Sequence, residues 1–133
     1  MKTNQPTDEN PIATVVVDCA LKIHRQLGPG LLESVYETLL AHELTKRGLS
    51  VERQKPVPII YDGIEFPEPF RVDLLVAGKV LVELKSVEQL QPVHYRQTLT
   101  YLKLAKLRLG LLINFSAPLL KDGLHRIVDG LGE

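Results

Sequence analysis

Apolar residues recur every three or four positions in the first third of the chain, which is the spacing of a helix face. The run from Ile12 to Leu27 predicts a first helix that ends before residues 28–30, which read Gly-Pro-Gly. A second run of the same spacing predicts a helix over residues 32–47, with Gly48 as its stop signal. The chain therefore begins its fold with two amphipathic helices.

The pattern then changes to short apolar and alternating segments, which are typical of strands. These segments predict strands over residues 51–54, 57–61, 64–66, 70–76 and 80–87, a third helix over 92–107, and strands over 109–115 and 124–128. The sequence Asp62-Gly63 predicts a hairpin turn between two of the strands. The order of elements predicts a single-domain α/β sandwich, with a mixed central sheet flanked by helices.

The first nine residues are polar and predict a flexible N-terminal tail, so residues 10–133 form the predicted domain. Asn10 and Pro11 suit the N-cap and first position of the first helix. The tail has no apolar segment and no signal-peptide pattern, and no apolar run approaches the roughly 20 residues that span a bilayer. The single cysteine, Cys19, is predicted to be a reduced core residue, and together these features predict a cytoplasmic protein that does not enter a membrane.

The charges balance, with 16 basic and 16 acidic residues and a net charge of zero. Proteins that grip nucleic acid over many phosphates are usually basic, so this balance counts against tight, extended binding. The balanced charge does not exclude a local basic cleft.

The strands over 70–76 and 80–87 bring two acids together. If residues 77–79 form the loop between them, Val76 pairs with Val80 and Leu74 with Val82, and Asp73 then falls opposite Glu83. A slip of one residue would drive the Asp73 carboxylate into the apolar face, so the apolar pattern selects this register.

Like charges directly opposite on a sheet repel each other, so this pair needs a compensating positive charge. Lys85, on the same predicted face as Glu83, is one candidate, and a divalent cation held between the two carboxylates is the better one. A solvated strand face with mixed charges is the alternative interpretation.

Two helices carry further candidate residues. On the third helix His94, Gln97 and Tyr101 follow at spacings of three and four, so they share one face. On the second, Glu33 and Tyr36 are one turn apart, although the helix dipole alone explains an acid at that position. An ordinary solvated face is the alternative explanation for both sets.

Taken together, the string Gly30-x-x-Glu33-x-x-Tyr36, Asp73, Glu83-x-Lys85 and Gln97-x-x-x-Tyr101 resembles the GxxExxY family of the PD-(D/E)XK nuclease superfamily. The last element is similar to one found in RecB-type nucleases. The resemblance implies a restriction-endonuclease-like core and a nuclease that uses Mg²⁺ or Mn²⁺. Val72 stands where some members have proline.

The same resemblance assigns roles by position. Asp73, Glu83 and the backbone carbonyl of Leu84 would hold the metal, and Glu33 would complete the acidic cluster, directly or through water. Lys85 would orient or deprotonate the attacking water and stabilise charge on the phosphate, with Gln97 supporting the site. The residues expected to contact substrate are Tyr36, His94, Arg96 and Tyr101.

The functional hypothesis is hydrolysis of phosphodiester bonds, in DNA rather than RNA. The alternative is a non-catalytic module of the same fold that binds nucleic acid or protein and regulates a protein partner, which the zero net charge favours. The third helix region is also richer in leucine than one buried face needs, which predicts a homodimer or a larger homo-oligomer.

Overall fold

The computed structural model describes residues 8–131, apart from the side chains of residues 68 and 69. Its elements in chain order are α1 (Glu9–Leu27), α2 (Glu33–Lys46), β1 (Val51–Tyr61), β2 (Ile64–Val76), β3 (Val80–Lys85), α3 (Pro92–Ala105), β4 (Leu109–Asn114), a short 3-10 helix (Leu120–Gly123) and β5 (Leu124–Val128). This order confirms the predicted α/β sandwich.

The five described strands form one mixed sheet in the order β1-β2-β3-β4-β5. Three of the four neighbouring pairs are antiparallel, and only β3 and β4 run parallel. Helix α3 connects that parallel pair, because a parallel connection must cross back over the sheet. No helix among the described residues is long and apolar enough to cross a membrane.

The long hairpin of β1 and β2 differs from the prediction, which divided it into shorter strands. The prolines of β1 do not break it, because β1 is an edge strand and needs no N–H donor on its outer side. The predicted turn is present: Asp62 and Gly63 have φ values of 57° and 72°, and two-residue hairpins favour such positive angles.

The start of α1 also differs from the prediction. Asp8, not Asn10, occupies the N-cap position, and the helix begins at Glu9. Glu9 was assigned to the flexible tail, but its carboxylate is buried and accepts hydrogen bonds from Arg108 at 3.0 and 3.1 Å. The rest of the predicted tail, residues 1–7, lies outside the described residues.

The two faces of the sheet carry cores of different size. Helices α1 and α2 cover one face, where a large apolar cluster includes Cys19, as predicted, and Leu84. On the face that α3 covers, the buried cluster consists of Val72, Leu81 and Leu102. Regular strand alternation would place Val72 and Leu74 on one face, but they belong to clusters on opposite faces, so the alternation of β2 is interrupted between them, at Asp73.

Candidate active site

The predicted register between β2 and β3 is confirmed. Val76 pairs with Val80 and Leu74 with Val82, and the ladder ends there. At the next position side-chain hydrogen bonds take over: the Leu84 amide donates to Asp73 Oδ2 at 2.8 Å, and the Asp73 amide donates to Glu83 Oε1 at 3.4 Å. The register therefore brings the two carboxylates together just beyond the end of the ladder.

Glu83 lies in an unfavourable position for a charged group. Only 6% of the residue is exposed, and burial, followed by repulsion from Asp73, raises its pKa to about 8. The positive charge of Lys85 acts in the opposite direction but does not offset the other two effects. Near neutral pH and without a metal, Glu83 therefore keeps its proton, and a bound cation is the group that would replace this proton and balance two ionised carboxylates.

Lys85 is half-buried at the end of β3, two residues beyond Glu83. Within the described part of the chain it forms no ion pair, so its ammonium group does not occupy the space between the two carboxylates as a salt bridge. It remains available to a substrate group.

Glu33 is the first residue of α2, and it contacts the segment that follows β3. Its Oε2 accepts the Ser86 amide at 3.2 Å, while Ser86 Oγ donates to the Leu31 carbonyl at 2.9 Å. In residues 8–131 no group of three or more His, Cys, Asp and Glu side chains is placed to hold a metal ion. A direct place for Glu33 in the acidic cluster is therefore not seen, and a role through water stays a prediction.

Tyr36 does not line the site, contrary to its predicted contact with substrate. It is fully buried and stacked on Phe115, with ring centroids 4.2 Å apart. Its hydroxyl donates to the Gly28 carbonyl at 2.6 Å and accepts the Leu31 amide at 3.2 Å. Tyr36 thus fixes the loop before α2, where Gly30 has a φ of 113° that disfavours other residues. This loop places Glu33 beside Ser86.

Of the candidates on α3, Tyr101 is influenced by the charges of the two carboxylates. Its ring stacks on Phe70 at 4.3 Å, and burial, with the charges of Glu83 and Asp73, raises the pKa of its hydroxyl. Gln97 is exposed one turn earlier, and within the described chain it makes no hydrogen bond. Tyr101 therefore lies within the electrostatic influence of the acid pair, and support of the site by Gln97 stays a prediction.

The other two candidates of α3 lie near its start. His94 Nδ1 accepts the Gln91 amide at 2.9 Å and so completes the cap of the helix, which explains its presence without a role in binding. Arg96 is exposed. Contact of either residue with substrate stays a prediction.

Two polar residues that the sequence interpretation missed adjoin the acid pair. Gln54 Nε2 donates to Asp73 Oδ1 at 3.1 Å and to Glu37 Oε1 at 2.6 Å. Glu37 had a sequence signal, since it follows Glu33 by four residues on the same face of α2. Gln54 had none, because the strand register shifts between Val57 and Ile59, and counting back from the hairpin turn gives the wrong partner.

These observations define the class of protein: an α/β domain with paired carboxylates and a lysine at the end of a central strand. The chain belongs to the PD-(D/E)XK nuclease superfamily, whose family profile matches residues 10–127. The comparisons with curated proteins and with solved structures gave no match.

Membership confirms the predicted superfamily and its restriction-endonuclease-like fold. It also implies a nucleic-acid substrate, and nucleases of this superfamily generally use divalent metals. The narrower assignment to the GxxExxY family stays a prediction.

Proposed function

We propose that the protein is a nuclease that hydrolyses phosphodiester bonds in DNA with Mg²⁺ or Mn²⁺. The observation that carries the proposal is the contact between Asp73 and the buried Glu83, with Lys85 two residues further along the strand. A buried pair of acids without a matching cation is costly to the fold, and function is the usual reason that such a pair exists.

The donor set suits a hard divalent cation, which binds oxygen and often takes one or two carboxylates from the protein. Asp73 and Glu83 would hold it, joined by the backbone carbonyl of Leu84. A bound cation of this kind supplies positive charge at the phosphate and makes a nearby water easier to deprotonate.

The remaining chemistry falls to the side chains of the chain itself. The Lys85 ammonium group would donate to a phosphate oxygen and stabilise the negative charge that builds there, or orient the attacking water. Tyr101 would help to position the nucleic-acid backbone, with Gln97 one turn away on the same helix face. The Gln97-x-x-x-Tyr101 element, which resembles that of RecB-type nucleases, supports DNA as the substrate.

The test is a cleavage assay on single-stranded DNA, double-stranded DNA and RNA, with Mg²⁺, Mn²⁺ or EDTA. We expect cleavage of DNA that EDTA abolishes and that Asp73→Ala or Lys85→Ala reduces by at least about 100-fold. Glu88→Ala is the control, because Glu88 is exposed just beyond β3 and should be replaceable without loss. Cleavage that persists in both site variants, or in EDTA, contradicts the proposal.

A second candidate is a module that binds nucleic acid or protein without cutting. The observation that favours it is that the described residues bring only two acids together. A third ligand from the protein would hold a metal more firmly. This candidate predicts no metal-dependent cleavage of DNA or RNA, and stable capture of a nucleic acid or a protein partner. Cleavage of RNA alone would retain the nuclease and change its substrate.

A further inference from the structure

Asp73 is held on both of its carboxylate oxygens. The Leu84 amide donates to Oδ2 at 2.8 Å, and Gln54 Nε2 donates to Oδ1 at 3.1 Å. The second contact depends on Gln54 alone, because it is a side-chain bond from the neighbouring strand β1. The direction of the Asp73 carboxylate is thus set by one backbone group and one side chain.

Gln54 is itself held by α2. Its side-chain amide also donates to Glu37 Oε1 at 2.6 Å, and the other oxygen of Glu37 accepts Arg53 Nε at 3.0 Å. Glu37 is buried, with 7% of the residue exposed. A carboxylate only accepts hydrogen bonds, so the amide nitrogen of Gln54 must face both acids, and its orientation is defined.

The backbone of Gln54 is strained, which makes these contacts more significant. Its φ of 49° lies in the left-handed region, which residues with a side chain disfavour. Such strain persists only where the surroundings enforce it, and it is concentrated at functional sites.

We propose that Gln54 is a positioning residue of the acid pair: it fixes the Asp73 carboxylate toward Glu83, and Glu37 with Arg53 fixes Gln54. The chain of contacts runs from α2 through β1 to β2, so helix α2 supports the site through Glu37 as well as through Glu33. The expected effect of Gln54 on metal binding rests on the proposed function, but its effect on the position of the Asp73 carboxylate does not.

The direct test measures hydrogen exchange at the Leu84 amide by NMR, in the absence of metal. The variant is Gln54→Gly, since glycine adopts the same φ without strain and the fold should be retained. With Oδ1 released, Asp73 holds the Leu84 amide less well, and we expect that amide to exchange about tenfold faster. The Phe115 amide, which donates to the Lys85 carbonyl at 2.9 Å, is the internal reference and should not change.

Lys106→Gly is the matched control, because Lys106 is exposed, has a φ of 58° and lies at the end of α3. It relieves the same kind of backbone strain and should leave exchange at Leu84 unchanged. Gln54→Asn is the second variant: asparagine tolerates this φ, but it is one methylene too short to reach both acids. If Leu84 exchanges at the wild-type rate in both Gln54 variants, Gln54 does not position Asp73 and the proposal is overturned.

A calorimetric titration with Mn²⁺ separates this proposal from the proposed function. We expect Gln54→Gly to bind Mn²⁺ about 10–100-fold more weakly than the wild type, and Lys106→Gly to match the wild type. If the wild type binds Mn²⁺ and Gln54→Gly binds it equally well, Gln54 does not support a metal site. If the wild type binds no Mn²⁺ and cuts nothing while the Leu84 amide still responds, the positioning role stands and the nuclease proposal fails.

Discussion

The two faces of the sheet differ: one carries most of the buried apolar core, and the other carries the candidate active site. The face under α1 and α2 carries a large apolar cluster. The face under α3 has a buried cluster of only three residues, Val72, Leu81 and Leu102, and beside it lie the acid pair and Tyr101. A fold that buries most of its apolar surface on one side can tolerate costly charged groups on the other.

Strand β3 shows the division within six residues. Val80, Val82 and Leu84 all belong to the large cluster. The alternate positions carry Leu81, Glu83 and Lys85, so the same strand serves the core on one face and the acid pair on the other. The predictions below test whether the two faces differ as this comparison states.

The largest expected effect on function follows from Glu83→Gln, which should raise stability while strongly reducing cleavage. Because the pKa of Glu83 is raised from 4.5 to about 8, the folded protein keeps a proton that the unfolded chain releases near pH 4.5. The folded state is therefore destabilised as the pH rises through that window. In EDTA at pH 9 we expect the variant to be more stable by an amount on the order of 2 kcal/mol, and its cleavage rate to be at least about 100-fold lower.

Thermal melting at pH 5, 7 and 9, run beside the cleavage assay, measures both effects. The advantage of the variant should be small at pH 5 and should grow with pH. Glu88→Gln makes the same chemical change at an exposed position and should give a constant difference from the wild type. A Glu83→Gln variant that is less stable at pH 9 would show that the acid pair does not strain the α3 face.

Matched core truncations compare the faces directly. Leu40 on α2 and Leu102 on α3 are both fully buried, and they belong to the large and the small cluster. Leu40→Ala should destabilise the protein by about 3–5 kcal/mol and Leu102→Ala by about 2–3 kcal/mol, because the residues around the small cluster are only partly buried and can relax into the cavity more easily. Urea unfolding measures both changes in the free energy of unfolding. Equal changes would contradict the view that the two faces contribute unequally to stability.

The sequence was sufficient to predict the elements whose pattern is local. The helical runs, the Asp62-Gly63 turn and the pairing of Val76 with Val80 follow from spacing and turn chemistry, and the register then placed Asp73 by Glu83. The acid pair was predictable because a short loop and an apolar face leave a single acceptable register.

The parts that were not predicted depend on contacts between distant segments. The place of Val72 on the α3 face follows from an interruption at Asp73 that no local pattern encodes. Gln54 reaches the acid pair only because of the register shift between Val57 and Ile59. The burial of Tyr36 was not predicted because a motif gives spacing but not burial, and in the fold its ring packs against Phe115, just after β4.

Tyr36→Phe distinguishes a structural tyrosine from one that contacts substrate. The change removes the hydroxyl bonds to the Gly28 carbonyl and the Leu31 amide but keeps the ring in the core. We expect a loss of about 1–2 kcal/mol in the free energy of unfolding and a KM close to that of the wild type. A raised KM with unchanged stability would show instead that Tyr36 contacts the substrate.

The smallest effect is expected at Glu9, a charged residue of α1, the helix that helps to cover the face with the large apolar cluster. Hydrogen bonds from Arg108 are the main cause that lowers the pKa of Glu9 below its usual value, so here, unlike at Glu83, the ionised form is the favoured one. Its contribution is present at neutral pH and is lost as the pH falls through the lowered pKa. Glu9→Gln should therefore melt slightly below the wild type at pH 7, and the difference should shrink as the pH falls toward 3. Since Arg108 is largely exposed, added salt should shrink the difference at pH 7. A difference that is larger at pH 3 than at pH 7 would mean that Glu9, like Glu83, is a strained acid, and that the two faces do not differ in how they treat charge.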